Sequence, residues 1–162
     1  MLVLGLETSC DETSASVVRG GRQILSNVIV SQGELHGEYG GIVPEIAARS
    51  HVEALTPAIG EALLRADATF WDLHGVAATL GPGLIGSLLV GVAEAKAISA
   101  ALEIPFVGVN HLEAHIYSNL LVDEVQDVDR SQLRLALLLA ACVDAAPNAP
   151  ASISKNSFIL SL

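Results

Sequence analysis

Three short apolar runs, at residues 2–6, 14–19 and 23–30, open the chain with almost nothing between them. Runs this short and this close can be joined only by tight turns, and Gly20-Gly21 is a hairpin signal between the second and third. The chain is thereby committed to a three-stranded antiparallel start. In the third run Ile24, Val28 and Val30 fall on one face, Leu25 and Ile29 on the other. The pattern then lengthens. Pro44 suits a first helical turn, and Ala48, Val52, Leu55, Ile59 and Leu63 follow at steps of three and four. Pro57 lies inside that stripe and predicts a kink or two shorter helices. A strand within residues 71–79, mainly 75–79, turns at Gly81-Pro82-Gly83 into a helix over about 84–102. Ile85, Leu88, Leu89, Val92 and Ile98 are expected on its buried side, while Gly86, Gly91, Ala93, Ala95 and Ala97 allow close backbone approach. Residues 104–109 form one more buried strand. The order β-β-β-α-β-α-β-α predicts an α/β fold: an antiparallel start, then right-handed crossover units.

That last strand runs straight into Asn110-His111-Leu112-Glu113-Ala114-His115. Two histidines four apart on a helix stand on one face, as two ligands of one metal ion would. They sit at the carboxyl end of a strand, the edge where open α/β sheets collect ligands. Two imidazoles alone are too few, since such sites take a third ligand. Glu113 follows His111 by two residues, about 200° round the helix, and so points away from the pair. The H-E-x-x-H arrangement of a zinc peptidase is excluded, and no nucleophile–base pair offers another peptidase mechanism.

A second polar stretch, Glu7-Thr8-Ser9-Cys10-Asp11-Glu12-Thr13, ends the first strand. Its hydroxyls and backbone amides can donate to an oxyanion. Asp11 and Glu12 repel phosphate, so they would act through a metal, a water or a proton. A plain hydroxyl-rich turn is the competing reading. Gly81-Pro82-Gly83-Leu84-Ile85-Gly86 lacks the lysine of a Walker loop and the spacing of a dinucleotide loop; close strand–helix packing explains its glycines equally well.

With 162 residues, the chain has one domain's worth of sequence. Apolar residues make up 51% and charged residues 16%, an excess that suggests faces packing on something further. The net charge of −10 and the lack of any basic run argue against a self-sufficient nucleic-acid binder. Cys10 and Cys142 form no C-x-x-C pattern and fit a reducing compartment. The N-terminus lacks a basic n-region and cleavage site, and the apolar run 133–143 contains Arg134 and is too short to span a bilayer. These features predict a soluble, cytoplasmic protein with no membrane association.

Four motifs carry a family resemblance: residues 6–13, Gly40-Gly41-Ile42-Val43-Pro44-Glu45, Gly81-Pro82-Gly83-Leu84 and residues 110–115. In order and spacing they resemble the TsaD/Gcp/YgjD family of tRNA N6-adenosine threonylcarbamoyltransferases, in its bacterial or organellar branch. The resemblance implies a ribonuclease-H-like (ASKHA, actin/hexokinase-like) domain, a mixed sheet with helices on both faces, without the family's second half. It implies transfer of threonylcarbamoyl from its adenylate to N6 of adenosine 37 of tRNA. By that resemblance His111 and His115 ligate a divalent metal, iron or zinc, together with a distant aspartate. Asp11 and Glu12 are the implied catalytic residues, and Ser9 the implied substrate-binding residue. The implied partners are tRNA, a smaller paralogue and an ATPase.

The resemblance covers residues 1–121, taken as the ASKHA N-terminal domain. Residues 122–162 are expected to be a divergent or truncated tail, partly disordered: an acidic stretch (Asp123, Glu124, Asp127, Asp129), a possible strand at 135–139, then a segment rich in Ala, Pro, Ser and Asn. Where the family continues with Ser-Gly-Gly-His-Thr, this chain reads Ala140-Ala141-Cys142-Val143-Asp144. Such a chain is expected to be inactive alone. The alternative is a noncatalytic scaffold or dimerisation partner, against which the paired histidines weigh, since the family's smaller paralogue lacks them.

Overall fold

The computed structural model describes residues 1–37, 39–117 and 122–123. Strands β1 (Leu2–Glu7), β2 (Glu12–Arg19) and β3 (Gln23–Ser31) form the antiparallel start. The turn between β2 and β3 has Gly20 at φ 56° and Gly21 at φ 73°, left-handed values that glycine adopts without a Cβ penalty. The polar turn after β1 is only four residues long, because Glu7 still belongs to β1 and Glu12 already to β2.

After β3 come a short helix α1 (Gly33–Gly37), helix α2 (Pro44–Arg65), a 3-10 turn (Phe70–Asp72) and β4 (Gly75–Gly81). Helix α3 (Ile85–Leu102), β5 (Phe106–Asn110), α4 (His111–Tyr117) and β6 (Val122–Asp123) complete the described elements. The six strands lie in the order β5-β4-β1-β2-β3-β6. β1, β4 and β5 run parallel to one another, so their carboxyl ends share one edge of the sheet. β2 is antiparallel to both of its neighbours.

Alternation along β1 assigns the two faces. Leu4 and Leu6 join Leu55, Ile59 and Ala62 of α2 and Ala95 and Ile98 of α3 in the larger core. Val3 points the other way, with Ala77, Val107, Val109 and Ala114 of α4. The sheet therefore carries helices on both faces, as expected.

Several local expectations are corrected. α2 is one helix of 22 residues with Pro57 inside it, not two. Its buried face runs through Ala47, His51, Leu55, Ala58, Ile59, Ala62 and Leu63, and Val52 is 63% exposed. Trp71 belongs to the 3-10 turn rather than to a strand. On α3 the buried residues are Ser87, Gly91, Ala95, Ile98 and Ser99, while Ile85 is 79% and Leu89 63% exposed. Val30 is exposed at the end of β3. The cause on α3 is close approach: a Cβ on Gly91 would stand 2.5 Å from Thr8 Oγ1. Only small residues let the helix sit that near the end of β1. By length and composition α3 could cross a membrane, yet one face of it lies against β4 and β1 in this domain. Of the expected tail, residues 124–162, including the possible strand at 135–139, lie outside the described residues.

Candidate functional site

The three parallel strands deliver one polar residue each to their common edge: Glu7 from β1, Thr79 from β4 and Asn110 from β5. Asn110 Oδ1 accepts the backbone N–H groups of Leu112 (2.9 Å) and Glu113 (3.4 Å), capping α4. Helix α4 thus starts at the sheet edge, and Ala114 anchors it on the sheet. That docking leaves His111 and His115 on a common face, half-buried, one turn apart.

Their rings meet edge to face, with centroids 4.5 Å apart at 88°. His111 Nε2 and His115 Nε2 are 3.0 Å apart. Two imidazole nitrogens at this spacing either share one proton in a hydrogen bond or both face one cation, for which ligand-to-ligand distances near 3 Å follow from metal–nitrogen bonds of about 2.0–2.1 Å. Glu113 is exposed and takes no part in the pair. No group of three or more His, Cys, Asp or Glu able to hold a metal occurs among the described residues. The donor set fits two ligands of a metal site and leaves the others to come from elsewhere.

Behind His111 lies a residue that sequence reasoning did not single out. Glu7 is buried, with one carboxylate oxygen accepting the Ser9 N–H (2.5 Å). The other accepts the Thr79 hydroxyl (2.6 Å) and lies 3.2 Å from His111 Nδ1. Burial works to raise the Glu7 pKa, but hydrogen bonds from His111, Ser9 and Thr79 together outweigh it and hold it below the ordinary 4.5. The available signal was a carboxylate closing an apolar strand beside hydroxyl residues. It becomes informative only once β1, β4 and β5 are known to be adjacent.

Ser9 is buried, and its Oγ lies 3.3 Å from His111 Nδ1, so the structure brings these two expected residues together across 102 positions of sequence. Asp11 is half-buried and Glu12 exposed, on the turn and the first residue of β2. Asp11 neighbours the Cys10 thiol, whose pKa is raised by burial first and then by that carboxylate. The glycine loop packs onto this turn: Leu84 N–H donates to Ser9 O (2.8 Å), and a Cβ on Gly83 would stand 2.6 Å from the same oxygen. Close packing is therefore sufficient reason for Gly83.

A second histidine cluster supports the turn from the opposite side. His51 Nε2–H donates to Cys10 O (3.1 Å), and Nδ1 accepts from the Thr13 hydroxyl (2.7 Å) and Gln32 Nε2 (3.2 Å). Gln32 Oε1 accepts from His36 Nε2 (3.2 Å), and Gln32 N–H donates to Asp11 O (3.0 Å). Burial lowers the His51 pKa below 6.5, against the Cys10 carbonyl and the charges of Glu7 and Asp11, which raise it.

Comparison with solved structures defines the class. T. thermophilus RuvC in complex with Holliday junction substrate superposes with a TM-score of 0.55 at 14% identity, over 90% of this chain and 96% of that one. YeaZ from Pseudomonas aeruginosa gives 0.54 at 19% identity, over 72% of this chain and 46% of that one. At such identities the likeness concerns the fold alone, and that fold is the ribonuclease-H-like, ASKHA type.

Sequence comparison is more specific. The pattern of the family described as "TsaD: tRNA N6-adenosine threonylcarbamoyltransferase" matches residues 23–129. Curated relatives of that name are 60% identical over 119 residues in Caldicellulosiruptor bescii (74% of this chain, 35% of the relative) and 54% identical over 125 residues in Bacillus subtilis (77% and 36%). The chain belongs to the tRNA N6-adenosine threonylcarbamoyltransferase family. It spans about a third of the length of these relatives.

Proposed function

We propose that this chain forms the metal-facing and nucleotide-facing part of a transferase that moves threonylcarbamoyl from its adenylate to N6 of adenosine 37 in tRNA. One observation carries the reading: the 3.0 Å convergence of His111 Nε2 and His115 Nε2 at the carboxyl edge of the parallel strands. His111 and His115 would hold a divalent metal, iron or zinc, with further ligands from outside the described residues. When bound, such a metal supplies Lewis-acid polarisation of an acyl carbonyl. In the transfer, adenine N6 bonds to the carbamoyl carbon, the bond to the adenylate phosphate breaks, AMP leaves, and N6 gives up a proton. Ser9, on the turn beside His111, is suited to donate a hydrogen bond to the acyl-adenylate. Asp11 and Glu12, on the turn and at the start of β2, are assigned the catalytic role, in which a carboxylate receives the N6 proton.

Residues 1–121 are taken as the ASKHA domain and 122–162 as a divergent tail. A net charge of −10 requires the cations for tRNA phosphates to come from other parts or partners. The partners in this reading are tRNA, a smaller paralogue and an ATPase, and the compartment is the cytoplasm. A second reading, a noncatalytic scaffold or dimerisation partner, draws on Val52, Ile85 and Leu89, apolar yet exposed on α2 and α3.

The test is threonylcarbamoyladenosine in tRNA from cells whose only copy of the gene encodes these 162 residues. The expected result is unmodified tRNA, restored by a full-length relative. Modified tRNA would show that this chain suffices, against its assignment as one part of the transferase.

A further inference from the structure

We infer that Glu7 is a positioning residue: its carboxylate holds the proton of His111 on Nδ1 and so keeps Nε2 turned, with its lone pair, toward His115. The inference deepens the metal reading above and rests on it for its functional meaning. The geometry is specific. Glu7 ends β1, and its two oxygens receive donors from three places: the Ser9 N–H at 2.5 Å, the Thr79 hydroxyl at 2.6 Å and His111 Nδ1 at 3.2 Å. A carboxylate held this way only accepts, so the imidazole facing it must donate. Ser9 Oγ, 3.3 Å from the same nitrogen, could donate or accept and would not by itself fix the tautomer. With the proton on Nδ1, the His111 nitrogen 3.0 Å from His115 Nε2 is the one carrying the lone pair. A metal-ligating histidine commonly has its other ring nitrogen held by a carboxylate in this way.

The isosteric change Glu7→Gln separates orientation from packing. A backbone N–H can only donate, so the carboxamide must turn its oxygen to Ser9 and its NH₂ to Thr79 and His111. The Thr79 hydroxyl can rotate to accept, but His111 can accept only by moving its proton to Nε2. The experiment is nitrogen NMR of the imidazole tautomers in the metal-free 162-residue chain, followed by titration with Co²⁺. Wild-type His111 is expected with Nδ1 protonated, Glu7→Gln with Nε2 protonated, and Thr79→Val with the wild-type tautomer. Co²⁺ affinity is expected to fall about 10–100-fold in Glu7→Gln, the usual effect of losing an outer-shell partner, and within about threefold of wild type in Thr79→Val. Wild-type His111 protonated on Nε2, or an unchanged tautomer in Glu7→Gln, overturns the inference. The expected tautomers with no Co²⁺ binding in any variant would uphold the hold of Glu7 on His111 and remove the metal reading instead. Because the wild-type tautomer decides on its own, a poorly folding variant does not rescue a failed inference.

Discussion

His51 and His111 are both drawn against the same turn, one from each side of the sheet, and they are held in opposite ways. His51 is fully enclosed, and both its nitrogens meet groups whose roles are complementary: Cys10 O only accepts, and the Thr13 hydroxyl and Gln32 amide can donate. At His111, Nδ1 meets the Glu7 carboxylate, while Nε2 is set against another imidazole Nε2, a group of its own kind. A histidine whose neighbours settle both nitrogens is part of the framework. One whose outer nitrogen faces its own likeness is arranged to share something, a proton or a cation.

The contrast is broken most directly by removing the imidazole that faces His111, and then His51 itself. His115→Ala is expected to weaken Co²⁺ binding by more than about 100-fold, beyond the 10–100-fold of an outer-shell loss. Its effect on stability should stay within about 1 kcal/mol, since the side chain is only half-buried. Metal titration and urea unfolding of the same sample read both. Equal Co²⁺ affinity in the two proteins would mean that the histidine pair shares only a proton.

His51→Ala should behave in the reverse sense. It strands the Thr13 hydroxyl, the Gln32 amide and the Cys10 carbonyl in a buried space, at about 1–3 kcal/mol for an unsatisfied group plus the cavity. A loss of about 2–4 kcal/mol in urea unfolding is expected, with Co²⁺ affinity within about threefold of wild type. A large affinity loss with little change in stability would make His51 part of the site and erase the distinction.

Titration sharpens the comparison. Burial lowers the His51 pKa below its ordinary 6.5, so the folded chain binds fewer protons there than the unfolded chain. Stability from this group is complete above pH 6.5 and declines as pH falls through 6.5 toward the lower folded value. The groups acting on it are the Cys10 carbonyl, the carboxylates of Glu7 and Asp11, and His36. The wild-type urea midpoint should therefore drop between pH 7.5 and 5.5 by more than that of His51→Gln. Parallel pH profiles for the two proteins would show that His51 charges without penalty.

Much of this arrangement could be read from the amino-acid order, and the failures share one cause. Strands β1 to β5 announced themselves as short apolar runs between turn residues, and His111 and His115 by their spacing. Ser9, Asp11 and Glu12 stood out as a polar turn, though nothing in the spacing indicated that Ser9 alone would meet His111. Glu7 escaped notice because its partners, Thr79 and His111, are 72 and 104 positions away and become neighbours only through the sheet order. The helix faces were misjudged for a related reason. On α2 the inward residues include His51, which looks polar until Cys10, Thr13 and Gln32 are placed around it. Local periodicity records which residues are apolar, whereas burial also depends on how closely another element approaches.

Helix α3 allows the smallest and cleanest check of that lesson. Its large side chains at Ile85 and Leu89 point outward, and its small ones at Ser87, Gly91 and Ala95 press on the sheet, with Gly91 N–H donating to Thr8 Oγ1 at 3.2 Å. Leu89→Ser should then change the stability of the isolated chain by no more than about 0.5 kcal/mol, as at other exposed positions. Ile98→Ala, nine residues along but on the buried face, should cost about 2–3 kcal/mol. The pair is informative because hydropathy alone would rank both substitutions as core damage. A cost above about 2 kcal/mol at Leu89 in a monomeric sample would rotate the helix and pull Gly91 away from Thr8. The same cost appearing only at concentrations where the chain self-associates would instead assign the exposed leucine to an interface, the feature on which the scaffold reading draws.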